Sequence, residues 1–322
     1  MKLLGKTLAV LIGLLFLAFL IFRTPDTDPQ KMRAKYGGEP SQFLALEDGL
    51  TVHFRDEGPE NAPVIMLLHG SSADLHTWQP WVDALKDDYR VIRFDQIGHG
   101  LTGPAPDDNY EMAAFTGTIT QVADRLGLKK FILGGNSMGG GIAMAYALEN
   151  PDRLDGLVLV DASGAPVKRD TRGGGNLAYK ITAIPGLRNL MTQITPRSLI
   201  EQSYARSVYN QDIVTPEAVD RYWEMLRYPG NRAATLKRFD VARVPFTSGQ
   251  AEGMRVPTLV MWGEEDSLIP FAASAWFTRH IPNSAEVSYP QIGHLPMEET
   301  PDRSANDLRE WLATLSLTKD PV

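Results

Sequence analysis

The chain has 322 residues, of which 43% are hydrophobic, and a formal net charge of −7. This length and apolar content predict one large domain, or a domain with an inserted subdomain, and indicate neither a disordered chain nor a repeat array. The chain contains no cysteine. A disulfide scaffold and catalysis by a thiol are therefore excluded, and the usual ligands of a structural zinc site are missing.

Residues 1–23 predict a membrane anchor. Lys2 and Lys6 precede an uncharged apolar run from Thr7 to Phe22, and Arg23 follows it. With the side chain of Lys6 extended toward the headgroups, the span reaches about twenty residues, the length that a bilayer requires. We expect a single-pass anchor that contacts membrane lipid, with the catalytic domain on the extracytoplasmic (periplasmic) side. A cleaved signal peptide is the alternative, although the small residues typical of a cleavage site do not follow the run.

Residues 24–42 are polar and contain three prolines and two glycines, a composition typical of a linker. Beyond them, short apolar runs alternate with amphipathic patterns. Strands are predicted at Thr51–Arg55, Val64–Leu68, Arg90–Phe94, Lys130–Leu133, Leu157–Val160, Thr258–Trp262 and Glu286–Tyr289. Helices are predicted at Trp78–Lys86, Tyr110–Leu126, Gly139–Glu149, Phe271–His280 and Asp302–Leu315. This alternation predicts an α/β fold with a mostly parallel sheet flanked by helices.

The alternation stops after the strand predicted at Leu157–Val160. The following stretch of nearly a hundred residues has helical but no strand-like patterns, which is too long for a single crossover between strands. We therefore predict a core formed by residues 43–164 and 256–318, with a helical cap inserted at residues 165–255. The cap contains 14 Lys and Arg and 8 Asp and Glu, so that it carries +6 and the rest of the chain −13.

The stretch "GGNSMGGG" at residues 134–141 places one hydroxyl group among glycines, between a strand-like and a helix-like run. Gly135, Ser137 and Gly139 match the pattern G-x-S-x-G of a nucleophile elbow. Without side chains on either side of the serine, strand and helix can approach each other and Ser137 Oγ projects above the sheet edge. Ser137 is therefore predicted as a nucleophile. The alternative is a glycine-rich turn with a capping serine.

A serine nucleophile needs a base that takes its proton and an acid that orients the base. After this type of elbow, the acid and then the histidine follow along the chain. Asp266 lies just beyond the strand predicted to end at Trp262, and His294 lies just beyond the strand that ends at Tyr289. Both loops emerge at the sheet edge that carries Ser137, so Ser137, Asp266 and His294 are the predicted catalytic residues. Asp161 also follows a strand and is the alternative acid.

Five motifs of this chain resemble those of the α/β-hydrolase superfamily. They read "LLHGSS", "RFDQIGHGLT", "GGNSMGGG", "GEEDSLIP" and "IGHLPMEETP". The resemblance extends from about Leu44 to Leu315 and implies the α/β-hydrolase fold, with the insert as its lid or cap. The elbow, together with "VDASG", is most similar to lipase- and esterase-like members and to carbon–carbon bond hydrolases of aromatic breakdown.

The oxyanion of a tetrahedral intermediate needs hydrogen-bond donors that are already aimed at it. The backbone N–H of Met138 is the first predicted donor because Met138 follows the nucleophile. The N–H of Ser71 is the second, with Ser72 as the alternative. A substrate pocket is predicted from large apolar and aromatic side chains, namely Trp78, Tyr222, Trp223 and Leu295, together with Phe239 and Phe246.

These residues predict a serine hydrolase that cleaves carboxylic esters through an acyl-enzyme on Ser137, with a small-molecule acyl ester as its substrate. One alternative is a carbon–carbon bond hydrolase with the same triad. Another, from a different class, is a ligand-binding receptor that retains the triad. We expect no cofactor, no metal ion and no nucleic-acid partner.

Overall fold

The computed structural model describes residues 2–168, 192–242 and 244–318. Within them, eight strands form one sheet in the order β1-β2-β4-β3-β5-β6-β7-β8. Their bounds are β1 Ser41–Ala45, β2 Thr51–Glu57, β3 Val64–Leu68, β4 Arg90–Phe94, β5 Phe131–Asn136, β6 Leu154–Val160, β7 Thr258–Gly263 and β8 Ser284–Tyr289. Strand β2 pairs antiparallel with β1 and β4, and all other pairs are parallel. The predicted fold class is confirmed.

Apart from the first two, which precede the sheet in the chain, the helices of the described residues pack on this sheet or lie in the insert. Their bounds are α1 Lys2–Phe22, α2 Pro29–Tyr36, α3 Gln79–Leu85, α4 Met112–Arg125, α5 Met138–Glu149, α6 Arg197–Ser207, α7 Pro216–Leu226, α8 Asn231–Asp240, α9 Ser248–Glu252, α10 Ala272–His280, α11 Pro296–Glu299 and α12 Pro301–Leu312. The helical periodicity of the sequence predicts α3, α4, α5, α10 and α12, with ends that lie within a few residues of the observed ones.

The core has two layers because successive side chains of a strand point to opposite faces of the sheet. In β3, Met66 and Leu68 pack in one cluster with side chains of α4 and α5. Ile65 and Leu67 pack in the other with side chains of α3 and α12. All five residues of β3 are buried, which explains why this strand is apolar throughout and not alternating.

The described part of the predicted cap, residues 165–168, 192–242 and 244–255, contains helices α6 to α9 and no strand. Arg221 on α7 ties it to the core, since its guanidinium lies 3.2 Å from Glu298 and 3.5 Å from Asp74. Glu298 also accepts hydrogen bonds from three hydroxyl groups, those of Thr77, Tyr204 and Tyr222. We call these six residues the cap latch.

Residues 24–36, within the predicted linker, lie against the cap. Asp26 forms an ion pair with Arg232 at 2.6 Å, and Arg232 also donates to the carbonyl of Thr24 at 2.8 Å. The hydroxyl of Tyr36 donates to the carboxylate of Glu224 at 2.6 Å. A small apolar cluster adds to these contacts, and its buried members are Met32, Leu101 and Met225. We call residues 24–36 the strap, because they hold the cap by side chains and backbone rather than extending as a free tether.

Helix α1 covers most of the predicted membrane anchor. Within the described ranges, no helix combines the length and the apolar character needed to cross a membrane. The prediction of a single-pass anchor at residues 1–23 with a periplasmic catalytic domain is therefore wrong. The uncharged run Thr7–Phe22 has sixteen residues, which rise by only about 24 Å as a helix, less than the roughly 30 Å of a bilayer's hydrocarbon core.

Candidate active site

Ser137 lies at the turn between β5 and α5. Its backbone has φ 54° and ψ −117°, a conformation that residues other than glycine rarely adopt. Hydrogen bonds on both sides hold it there: its N–H donates to the carbonyl of Val160 at 3.0 Å, and its carbonyl accepts from the N–H of Ser163 at 2.9 Å. The strained turn places Ser137 at the carboxyl end of β5 and at the amino end of α5.

The turn is possible because strand and helix meet backbone to backbone. A Cβ atom on Gly135 would lie 2.3 Å from the carbonyl carbon and oxygen of Gly139, closer than any real side chain can stand. The missing side chains therefore set the separation of β5 and α5. This is the condition that the G-x-S-x-G pattern requires.

Asp266 and His294 lie beyond the ends of β7 and β8, and the structure brings them together. Nδ1 of His294 lies 2.6 Å from Oδ2 of Asp266, with side chains that are 5% and 0% exposed. The other carboxylate oxygen of Asp266 accepts from the backbone N–H groups of Leu268 at 2.7 Å and Ile269 at 3.0 Å. With both oxygens engaged, the carboxylate is fixed in the direction of the imidazole ring.

Two side chains that the sequence analysis missed hold the loop of His294. The amide of Asn136 donates to the carbonyl of His294 at 3.0 Å. Glu299 accepts from the N–H of Gly293 at 2.9 Å and from that of Tyr209 in the cap at 2.7 Å. Burial raises the pKa of Glu299. Both residues belong to motifs quoted above, but their place in a motif did not reveal which loop they bind.

Asp161, the alternative acid, lies beside Asp266. Asp161, Asp266 and His294 each present an atom within 4.8 Å of the others. Oδ1 of Asp161 accepts from the N–H of Gly263 at 3.0 Å. Because His294 hydrogen-bonds Asp266 directly, the geometry favours Asp266 as the orienting acid. Such a group could also ligate a metal ion, but both oxygens of Asp266 are already engaged in hydrogen bonds.

The predicted oxyanion donors Met138 and Ser71 line the same cavity as Ser137, and so does the alternative, Ser72. A side chain of the cap fixes the position of Ser71, since Nη2 of Arg238 on α8 donates to its Oγ at 2.8 Å. Arg238 also donates to Nε2 of His99. Burial, and then the charge of Arg238, lower the pKa of His99 well below its usual value. His99 is thus a neutral acceptor, and Arg238 bridges the cap and the oxyanion loop.

His69 supports the same loop from the core. Its Nδ1 donates to the carbonyl of Gly70 at 2.8 Å, and its Nε2 accepts from the N–H of Gln96 at 3.0 Å. Burial lowers the pKa of His69, which keeps the ring neutral and leaves one nitrogen free of a proton to accept that bond. His69 therefore contributes to loop geometry rather than to charge.

A cavity of about 350 Å³ opens beside Ser137 and His294. Three of the side chains predicted for a substrate pocket, those of Tyr222, Leu295 and Phe239, line this cavity. Its walls combine core loops, cap helices and the loop after Asp266. The sequence analysis missed several wall residues, which are Ile200, Ser203, Tyr204, Ser207, Leu226, Leu268 and Ile269.

Trp78 and Trp223 were also predicted for the pocket, but the structure does not place them among the residues that line the cavity. Trp78 is fully buried in the core, where its ring lies 5.0 Å from that of Trp81. The indole N–H of Trp223 donates to the carbonyl of Thr195 at 2.7 Å within the cap. Phe246 likewise does not line the cavity. An apolar residue type thus does not distinguish core from pocket.

Comparisons with known proteins identify the family of the chain. Residues 63–301 match the family model of the α/β hydrolase fold. A 2-hydroxymuconate semialdehyde hydrolase of Pseudomonas putida is 29% identical over 277 residues, covering 83% of this chain and 92% of that enzyme. A 2-hydroxy-6-oxononadienedioate/2-hydroxy-6-oxononatrienedioate hydrolase of Comamonas testosteroni is 26% identical over 278 residues, covering 81% and 92%.

Among solved structures, a thermophilic esterase from Thermogutta terrifontis is 27% identical with a TM-score of 0.70, and the match covers 85% of this chain and 98% of that one. The family model alone spans well over half of the sequence. The resemblance seen in the sequence motifs is confirmed: the chain belongs to the α/β-hydrolase family.

Proposed function

We propose that the chain is a serine hydrolase in which Ser137 attacks a carbonyl carbon, His294 transfers the proton and Asp266 orients His294. The observation that carries this proposal is the 2.6 Å contact between His294 and Asp266 at a cavity that Ser137 also lines. A buried acid on Nδ1 selects the imidazole tautomer in which Nε2 can accept a proton from serine.

The proposed reaction begins as Ser137 Oγ bonds to the carbonyl carbon while its proton passes to Nε2 of His294. The carbonyl oxygen becomes an oxyanion, which the N–H groups of Met138 and Ser71 stabilise. The tetrahedral intermediate then collapses, and the leaving group departs with the proton of His294. A water molecule repeats both steps on the acyl-enzyme and releases a carboxylic acid.

For the bond that is cleaved, our first candidate is the carbon–carbon bond next to the ketone of a 2-hydroxy-6-oxo-dienoate. The curated relatives at 26% and 29% identity carry the names of such hydrolases, which supports this alternative better than the ester cleavage expected from the sequence. A dienoate is anionic, and the guanidinium of Arg238 donates a hydrogen bond to the hydroxyl group of the cavity-lining Ser71. In this reaction the leaving carbon keeps the electron pair and takes the proton.

An uncharged carboxylic ester is the second candidate, and the cavity walls favour it. Among the described residues that line the cavity, none is Lys, Arg, Asp or Glu. Such a wall suits an apolar acyl group. The esterase at 27% identity has the same fold over nearly its whole length.

Steady-state assays of the full chain distinguish the two candidates. The substrates are 2-hydroxy-6-oxo-6-phenylhexa-2,4-dienoate and the p-nitrophenyl esters of acetate and hexanoate. We expect kcat/KM for the dienoate to exceed that for either ester by about 100-fold or more, a difference that a site built for one polar substrate can reach. The reverse ranking would assign the chain to the esterases. One stoichiometric burst without turnover would favour the receptor.

Two variants accompany the assay. Ser137→Ala is the control that should remove turnover of both substrate classes. Arg238→Gln should lower kcat/KM for the dienoate by about 10-fold while changing that for the esters less, because it removes a positive charge next to the cavity-lining Ser71 that attracts an anionic substrate through space. An equal loss for both classes would mean that Arg238 acts on the oxyanion loop and not on the substrate carboxylate.

A further inference from the structure

Asp161 is a fully buried carboxyl group that the proposed mechanism does not use. It follows β6 with φ of 45°, and its N–H donates to the carbonyl of Met261 at 3.0 Å. The preceding residue, Val160, accepts the N–H of Ser137. Asp161 is therefore built into the sheet edge that carries the nucleophile.

The surroundings of Asp161 are acidic. The titratable groups that face it from the neighbouring loops, α11 and β8 are Asp266, Glu299, His294 and Tyr289. Its Oδ1 accepts the N–H of Gly263, whereas Oδ2 is buried and has no hydrogen-bond partner among the described residues. An ionised Asp161 would place an unpaired charge beside a second carboxylate, which is costly in a protein interior.

A proton on Oδ2 of Asp161 removes this cost, because the resulting O–H group can donate a hydrogen bond to a neighbouring carboxylate. The carboxylate of Asp266 can accept this hydrogen bond. Asp266 is also the member of the pair with the more complete set of donors, since Leu268, Ile269 and His294 all hydrogen-bond to it. The pair is therefore arranged to carry one negative charge, located on Asp266.

We propose that Asp161 is a protonated positioning residue whose Oδ2–H donates to Asp266 and keeps the charge of the pair on the carboxylate that faces His294. The inference rests on the proposed function for the roles of Asp266 and His294. The direction of the pKa of Asp161 agrees with it: burial, and then the charge of Asp266, raise that pKa well above its usual value.

Infrared spectroscopy of the resting protein tests the proton directly. At neutral pH, the wild-type chain should show a protonated-carboxyl band that Asp161→Asn lacks. Glu299→Gln is the matched control, since it removes a neighbouring buried carboxyl group and should leave the band of Asp161 in place. A wild-type spectrum without a band assignable to Asp161 would overturn the proposal. This measurement needs no substrate, so it remains decisive if the chain proves not to be a hydrolase.

NMR titration of the His294 imidazole gives a second readout. If Asp161 is neutral, Asp161→Asn replaces one neutral group by another, and the titration midpoint of His294 should move by less than about 0.3 pH units. If Asp161 is ionised, the same variant removes a negative charge near the ring. The midpoint should then fall by about one unit or more, as the loss of a nearby opposite charge does, and the proposal would be wrong.

Turnover separates positioning from a merely structural role. Asp161→Asn retains a donor toward Asp266 and an acceptor for Gly263, so kcat should stay within about threefold of wild type. Asp161→Leu retains neither, and kcat should fall by about 10- to 100-fold with KM little changed, the range seen when a partner that orients a functional side chain is lost. Equal activity in the Asn and Leu variants would refute the positioning role.

Discussion

Gly139 and Leu68 lie in backbone contact across the elbow, since a Cβ atom at Gly139 would stand 2.2 Å from the carbonyl oxygen of Leu68. The amino end of α5 is therefore pressed against the end of β3 as well as against β5. No side chain, however small, can be added there without moving the helix that carries Met138.

The first prediction concerns this contact. Gly139→Ala should destabilise the fold by about 3 kcal/mol or prevent folding, because the clash is with backbone and cannot relax by a change of rotamer. Gly117→Ala is the matched control. Gly117 lies inside α4 with nothing within 4 Å of its added Cβ, and alanine there should stabilise the helix by about 0.5 to 1 kcal/mol. Urea unfolding of both variants measures the difference in their free energies of unfolding. Equal values would contradict the close backbone contact between Gly139 and Leu68.

The second prediction concerns the cap latch. Glu298→Gln should lower the free energy of unfolding by about 3 kcal/mol, because it leaves Arg221 with a weaker partner and removes the charge that the three hydroxyl groups solvate. Glu310→Gln, an exposed position on α12, should change stability by less than about 0.5 kcal/mol. Thermal or urea unfolding provides the measurement. A Glu298 variant as stable as the control would show that the latch contributes no stability.

The third prediction follows from the raised pKa of Asp161. Its usual value is 3.8, and above that pH the unfolded chain releases a proton that the folded chain retains. Stability is therefore lost as pH rises, by up to about 1.4 kcal/mol per pH unit until the pKa of the folded state is passed. Asp161→Asn lacks this titration. The free energy of unfolding of wild type minus that of Asp161→Asn should thus decrease between about pH 4 and 7, and a pH-independent difference would exclude a raised pKa.

The fourth prediction separates α1 from the strap. A chain that begins at Arg23 should retain turnover, because it keeps residues 24–36 on the cap. A chain that begins at Gly37 should lose about 2 to 5 kcal/mol of stability, since it loses the Asp26–Arg232 ion pair and the buried side chain of Met32. Both deletions are compared by unfolding and by kcat/KM. If the shorter chain equals the longer one, the strap does not support the cap.

Most of the fold could be predicted from the sequence, because the periodicities of its apolar residues are strong. The all-apolar run of β3 and the helical pattern of α4 could each be read without knowledge of their neighbours. Strand β1 was missed, since Ser41–Ala45 is a short edge strand of mixed polarity that follows prolines and glycines. The anchor was wrong because its predicted span depended on Lys6 to extend the uncharged run Thr7–Phe22.

Part of the candidate site could likewise be predicted from the sequence, and part could not. Ser137, Asp266 and His294 follow from chain order, because parallel strands bring their carboxyl ends to one edge. The pocket could not be obtained like this, since Trp78 and Tyr222 are equally suited to a core and to a cavity wall. The protonation state that we propose for Asp161 could not be predicted either, because it depends on the distance between Asp161 and Asp266, which no spacing along the chain specifies.

Part of the cavity wall belongs to a stretch of the polypeptide that is separate from the reacting groups. Tyr204 and Tyr222 are supplied by the insert, whereas Ser137 and His294 are supplied by strand ends of the core. The cap's share of substrate selectivity is therefore encoded in a segment that can change independently of the reacting groups. Replacing residues 165–255 by the corresponding segment of a relative with a different substrate should change the substrate preference while the reactive centre stays intact, provided that the graft carries arginines at the positions of Arg221 and Arg238.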